Sequence, residues 1–137
     1  MVELNVLRSP GAEERTRISF LPERGLRDRS PSGRKRPLPG VISLDNTRSS
    51  ILPDVRTRSP ETAQVALDKG EPLKLRVFID KTIVEVFVNG KQCVALRVYP
   101  GRPDSVGVSL RAQGRDAVLK SLDAWQMGST YAILANT

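Results

Sequence analysis

Of the fifteen Asp and Glu residues, Asp45, Asp80 and Glu85 are the candidates for acid/base chemistry. Hydrolysis of a glycosidic bond uses two such groups roughly 5 to 9.5 Å apart, one acid with a raised pKa and one ionised base or nucleophile. No spacing here singles out such a pair, and structural roles account better for all three. Asp80 opens Asp80-Lys81-Thr82, a hairpin corner where a short carboxylate can accept backbone N–H bonds. Glu85 alternates out of phase with Val84 and Val86, so it shares a face with Ile83 and Phe87. Partly buried there, it would need a partner, and Arg76 or Arg97 on a neighbouring strand could supply one.

Aromatic rings are the second group with chemistry to offer, because they stack on the apolar faces of sugars. Phe20, Phe78, Phe87, Tyr99, Trp125 and Tyr131 make up the whole supply, 4% of the chain, and they form no cluster in the sequence. Phe78 and Phe87 flank one hairpin, which suits packing between sheets or domains. Trp125 lies in an apolar-rich segment and reads as core. Tyr99 precedes Pro100-Gly101 and reads as exposed. Tyr99 and Trp125 are thus the carbohydrate-binding candidates, with no ligand specified. The lone Cys93 excludes an internal disulfide framework and reads as a strand residue. No cofactor and no metal site is expected.

Strands must position these groups. Leu73, Leu75, Val77 and Ile79 repeat every second residue, as do Val84, Val86 and Val88 after the Asp80-Lys81-Thr82 break. Asn89-Gly90 tolerates positive φ at both positions and predicts a tight hairpin into Val94, Leu96 and Val98. Upstream, Val2, Leu4 and Val6 alternate, then Thr16, Ile18 and Phe20, with Ser9-Pro10-Gly11 between. A strand follows through Val41–Asp45, and a short one through Ala63–Leu67. Val106, Val108 and Leu110 predict another, and Val118, Leu119, Leu122 and Trp125 a last long one. About nine short strands with turn chemistry between them predict an all-β, two-sheet antiparallel sandwich, jelly-roll or concanavalin-like.

The string Leu75-Arg76-Val77-Phe78-Ile79-Asp80-Lys81-Thr82-Ile83-Val84-Glu85-Val86-Phe87-Val88-Asn89-Gly90 resembles the hallmark of the C-terminal β-sandwich of glycoside hydrolase family 32. That family contains invertases, inulinases and levanases. Thr82 stands where Ser is usual and keeps the hydroxyl. Ser43-Leu44-Asp45-Asn46-Thr47-Arg48-Ser49-Ser50 is similar to the family's LDRTRSG-like segment, with Asn46 replacing a basic residue. Leu122-Asp123-Ala124-Trp125-Gln126-Met127 resembles its closing strand. Asp45, Asp80, Glu85 and Phe87 belong to these motifs, and the resemblance implies structural roles for them.

In that family hydrolysis takes place on a separate five-bladed propeller. Its W-(M/L)-N-D-P-N-G, R-D-P and E-C motifs do not occur here. Cys93 follows Gln92, and Arg102-Pro103-Asp104 has the wrong order. A propeller needs at least four blades of roughly 40 residues each, so 137 residues cannot hold one beside a sandwich. The resemblance therefore implies an accessory, non-catalytic domain that supports a propeller by packing against it, with self-association through an apolar sheet face as another partner. A carbohydrate-binding module and a glycosidase in its own right are the alternatives.

The expected organisation is one sandwich over residues 1–127, interrupted by a basic Pro/Gly-rich loop at 22–40, with a tail at 128–137. Apolar residues at 39% and charged residues at 27% fit a single globular domain. The net charge of +7 and the loop arginines invite nucleic acid, but no aromatic lies between Leu21 and Leu38 to stack on bases. Nucleic-acid binding is not expected, nor is a membrane span, since no apolar run approaches about 20 residues. Met1-Val2-Glu3-Leu4-Asn5-Val6 lacks the basic flank and apolar block of a signal peptide, which leaves the compartment open.

Overall fold

The computed structural model describes residues 1–27 and 37–129. Among them are eight strands and no helix: β1 Val2–Arg8, β2 Thr16–Leu21, β3 Gly40–Asp45, β4 Glu61–Val65, β5 Leu75–Asp80, β6 Ile83–Val88, β7 Gln92–Arg97 and β8 Gly107–Ala112. They form a five-stranded sheet in the order β4-β3-β2-β1-β8 and a three-stranded sheet β5-β6-β7. Every pairing is antiparallel. The fold is the expected two-sheet sandwich.

Register explains the core. Leu4 pairs with Ile18 and Ile18 with Leu44, while Phe20 pairs with Ile42, so one face of the larger sheet is a continuous apolar surface. Val77, Val86 and Val94 line up across the smaller sheet, beside the Ile79–Val84–Leu96 row. Ile18, Ile42, Leu44, Val65, Val84, Val86, Val88 and Val98 are all fully buried between the sheets. Burying such a side chain contributes about 1.5–3 kcal/mol, which is what holds the layers together. Gly40 is fixed by this packing, because a Cβ there would lie 2.3 Å from the Phe20 ring.

The β6–β7 hairpin turns as its sequence predicts. Asn89 and Gly90 have φ of 52° and 65°, the left-handed pair that a two-residue turn between twisted strands requires. Asn89 also does what the dipeptide does not reveal. Its Oδ1 accepts from Lys74 N–H at 2.8 Å, and its Nδ2 donates to Pro72 O and Glu71 Oε1. These bonds engage residues 71–74, and β5 begins at Leu75 rather than at Leu73. The β4 strand lies at Glu61–Val65, two residues before its expected place, in the register set by Val65 opposite Gly40.

One expected strand is not formed. Residues 113–129 contain no strand, and Val118, Leu119, Leu122 and Trp125 are exposed. Apolar alternation specifies a face, but a strand also needs an edge to pair with and a surface to cover. Trp125, read as core, is 80% exposed. Most of the basic stretch in the 22–40 loop, residues 28–36, lies outside the described residues, as do Tyr131 and most of the 128–137 tail.

Candidate functional site

The three candidate carboxylates do not converge. Asp45 ends β3 in the five-stranded sheet, whereas Asp80 and Glu85 lie on the smaller one. Asp45 accepts three hydrogen bonds. It accepts from Thr47 N–H at 2.8 Å and from the Thr47 hydroxyl, and it pairs with the Arg17 guanidinium at 2.5 Å. Burial pushes its carboxyl up, but the Thr47 and Arg17 bonds outweigh burial and leave it below the ordinary value. That arrangement makes a turn-closing anion and no proton donor.

Asp80 and Glu85 share the outward face of β5-β6, at diagonal positions about 7–8 Å apart. Both are exposed, and neither lines either of the two clefts described below. The Asp80 carboxylate accepts no hydrogen bond among the described residues, so the expected corner bond is absent. Glu85 shares its face with Ile83 and Phe87, as its phase requires, but it is exposed. It makes no ion pair with Arg76 or Arg97. Water solvates it, so the expected partner is not needed. Phe87 meets Phe78 edge-on on this outward face, with ring centroids 5.8 Å apart.

The most engaged carboxylate is one that sequence reasoning missed. Glu14, fully buried between β1 and β2, accepts from the Ser105 hydroxyl and from the backbone N–H groups of Gly101, Ile51 and Arg102. Burial alone would raise its pKa, yet these four donors hold the carboxyl below its ordinary value. Glu14 thereby ties together three connections: the β1–β2 turn, the β3–β4 loop and the β7–β8 loop. No period or motif marks it, because its partners lie 37 to 91 positions away.

Two clefts open at this end of the sandwich. The larger, about 580 Å³, lies between β7 and the β3–β4 loop and is lined by Asn46, Asp54, Arg56, Arg58, Glu61, Arg97 and Tyr99, among others. Tyr99 is thus placed in a concavity, and Trp125 is not. The smaller, about 310 Å³, is lined by Arg15, Arg17, Asp45, Thr47 and Arg48. Cys93 is exposed on β7. Among the described residues no group of three His, Cys, Asp or Glu side chains could hold a metal ion, and no helix is long and apolar enough to cross a membrane.

A family model described as the glycosyl hydrolases family 32 C terminal matches residues 1–126. The chain belongs to this family. Within family 32 it is similar to the acid beta-fructofuranosidase of Vicia faba, at 31% identity over 132 residues, covering 93% of this chain and 19% of that protein. It is also similar to the sucrose-6-phosphate hydrolase of Escherichia coli, at 42% identity over 65 residues, 47% of this chain and 13% of that protein. Among solved structures, fructan 1-exohydrolase IIa from Cichorium intybus superposes with a TM-score of 0.56 at 27% identity, covering 73% of this chain and 17% of that one. The chain therefore spans less than a quarter of the length of each of these relatives.

The long string from Leu75 to Gly90 is the β5–β6 hairpin and its exit turn. The segment from Ser43 to Ser50 is the end of β3 with the Asp45–Thr47 turn, where Ser49 N–H and hydroxyl both bond Asn46 O. The segment from Leu122 to Met127 follows the last strand and is exposed.

Proposed function

We propose that this chain is a non-catalytic accessory β-sandwich of the fructan- and sucrose-active glycoside hydrolases, supporting a catalytic propeller by packing against it. The observation that carries this reading is the confinement of the match to the C-terminal family model, over residues 1–126. The state of the carboxylates supports it: Asp45 accepts three hydrogen bonds and Glu14 four, and Asp80 and Glu85 lie on an open face. Fold alone does not fix function, so the test is biochemical. A family 32 propeller polypeptide mixed with this chain is expected to gain thermal stability and form a stoichiometric complex. The purified chain alone is expected to release no fructose from sucrose or inulin. Turnover by the chain alone would refute the reading, and so would a propeller indifferent to its presence.

Tyr99 favours a second reading as a carbohydrate-binding module. Its ring lines the larger cleft beside Asn46 and arginines, groups suited to stacking on a sugar and bonding its hydroxyls. Calorimetric titration with inulin, levan and sucrose decides this: heat that disappears in Tyr99→Ala supports it, and flat titrations remove it.

A further inference from the structure

The smaller cleft is a built cationic site. Arg17 and Asp45 are directly opposite each other on β2 and β3, and their side chains pair at 2.5 Å. The Asp45 carboxylate accepts from Arg17 and twice from Thr47, and it makes no ion pair with Arg15 or Arg48. Arg15 and Arg48 are held side by side, because Arg15 N–H bonds Arg48 O at 2.6 Å. The Arg15 side chain is steered as well, its Nη1 donating to Ala12 O at 2.9 Å. Neither guanidinium meets a carboxylate among the described residues. Three guanidinium groups facing one carboxylate leave two positive charges uncompensated in a cleft of about 310 Å³.

We propose that this cleft binds a phosphate monoester, with Arg15 and Arg48 as its principal ligands and Arg17 as the anchored third cation. Guanidinium forks match phosphate oxygens in pairs, and a dianion neutralises the two excess charges. The Thr47 hydroxyl and N–H are committed to Asp45, so the guanidinium groups carry the recognition. The volume admits a small metabolite, at the lower limit of ordinary ligand pockets. The larger cleft differs, because Asp54 and Glu61 line it together with its arginines.

The full chain is titrated with inorganic phosphate and with fructose 6-phosphate, following arginine side-chain N–H resonances by NMR, with acetate as a monovalent control. Both phosphates are expected to shift Arg15, Arg17 and Arg48 saturably, and acetate at least tenfold more weakly. A tighter Kd for fructose 6-phosphate assigns the site to the ester, and equal values assign it to the phosphate group alone. Binding is expected to strengthen severalfold from pH 5.5 to 7.5, as the phosphate becomes a dianion. Arg48→Gln and Arg15→Gln should each weaken binding at least tenfold, whereas Arg56→Gln should not. Both cleft variants retain the Asp45–Arg17 pair, and an unchanged unfolding midpoint shows that the fold persists. Uniform shifts of all arginines, binding unaffected by the cleft variants, or no saturation by either phosphate would overturn the proposal.

Discussion

Ser105 donates its hydroxyl to the Glu14 carboxylate at 2.6 Å, bridging 91 positions of sequence at a point buried from solvent. The same carboxylate accepts three backbone N–H groups, from Ile51, Gly101 and Arg102. Replacing it strands several donors at once. Glu14→Ala is expected to destabilise the chain by about 2–4 kcal/mol, measured by urea unfolding, because donors to a charged acceptor become unsatisfied. Ser105→Ala should cost less, since three donors remain.

Glu14 also predicts an acid response. Its folded pKa lies below its ordinary value, so it stabilises the native state above the unfolded pKa and loses that contribution as pH falls through the folded one. The stability gap between wild type and Glu14→Gln should therefore be full at pH 7 and shrink below about pH 4. A gap independent of pH would show that the carboxylate is not the species that matters.

Glu71 titrates in the same direction. The Lys91 amine, then the Asp68 N–H and the Asn89 amide, hold its carboxyl down at about 2. Its contribution is present above the unfolded pKa and is lost as pH falls towards 2. In Lys91→Met the NMR midpoint of the Glu71 carboxyl carbon should rise towards the ordinary glutamate range. The exposure of this pair means that salt should reduce the effect.

Asn89 combines a backbone conformation with three side-chain bonds to residues 71–74. Asn89→Gly keeps the turn and loses the bonds, and Asn89→Ala loses both. Unfolding midpoints should fall in the order wild type, Gly, Ala, with the alanine variant about 2 kcal/mol below wild type. Equal values for the two variants would show that backbone strain contributes nothing.

Trp125 is the sole tryptophan and is 80% exposed. Its fluorescence should peak near that of free tryptophan and be quenched readily by iodide. Trp125→Ala should shift stability by less than about 0.5 kcal/mol. A blue-shifted, protected emission would place the segment in a packed environment.

Much of this protein is legible in its sequence, because local rules act over a few residues. The period of two in Val84, Val86 and Val88 fixes which side chains enter the core, and Asn89-Gly90 fixes the turn that follows. These local signals and the length of the 75–90 motif determined the sandwich and the family. What lies between distant segments was not legible. Glu14 has no periodic context, and its four donors come from loops that only the folded sandwich brings together. The pattern around Trp125 looks like a strand, but alternation names a face and cannot supply the edge it must pair with. The cationic cleft is likewise tertiary: Arg15, Arg17 and Arg48 become one site because β2 and β3 pair in a register that places Arg17 opposite Asp45.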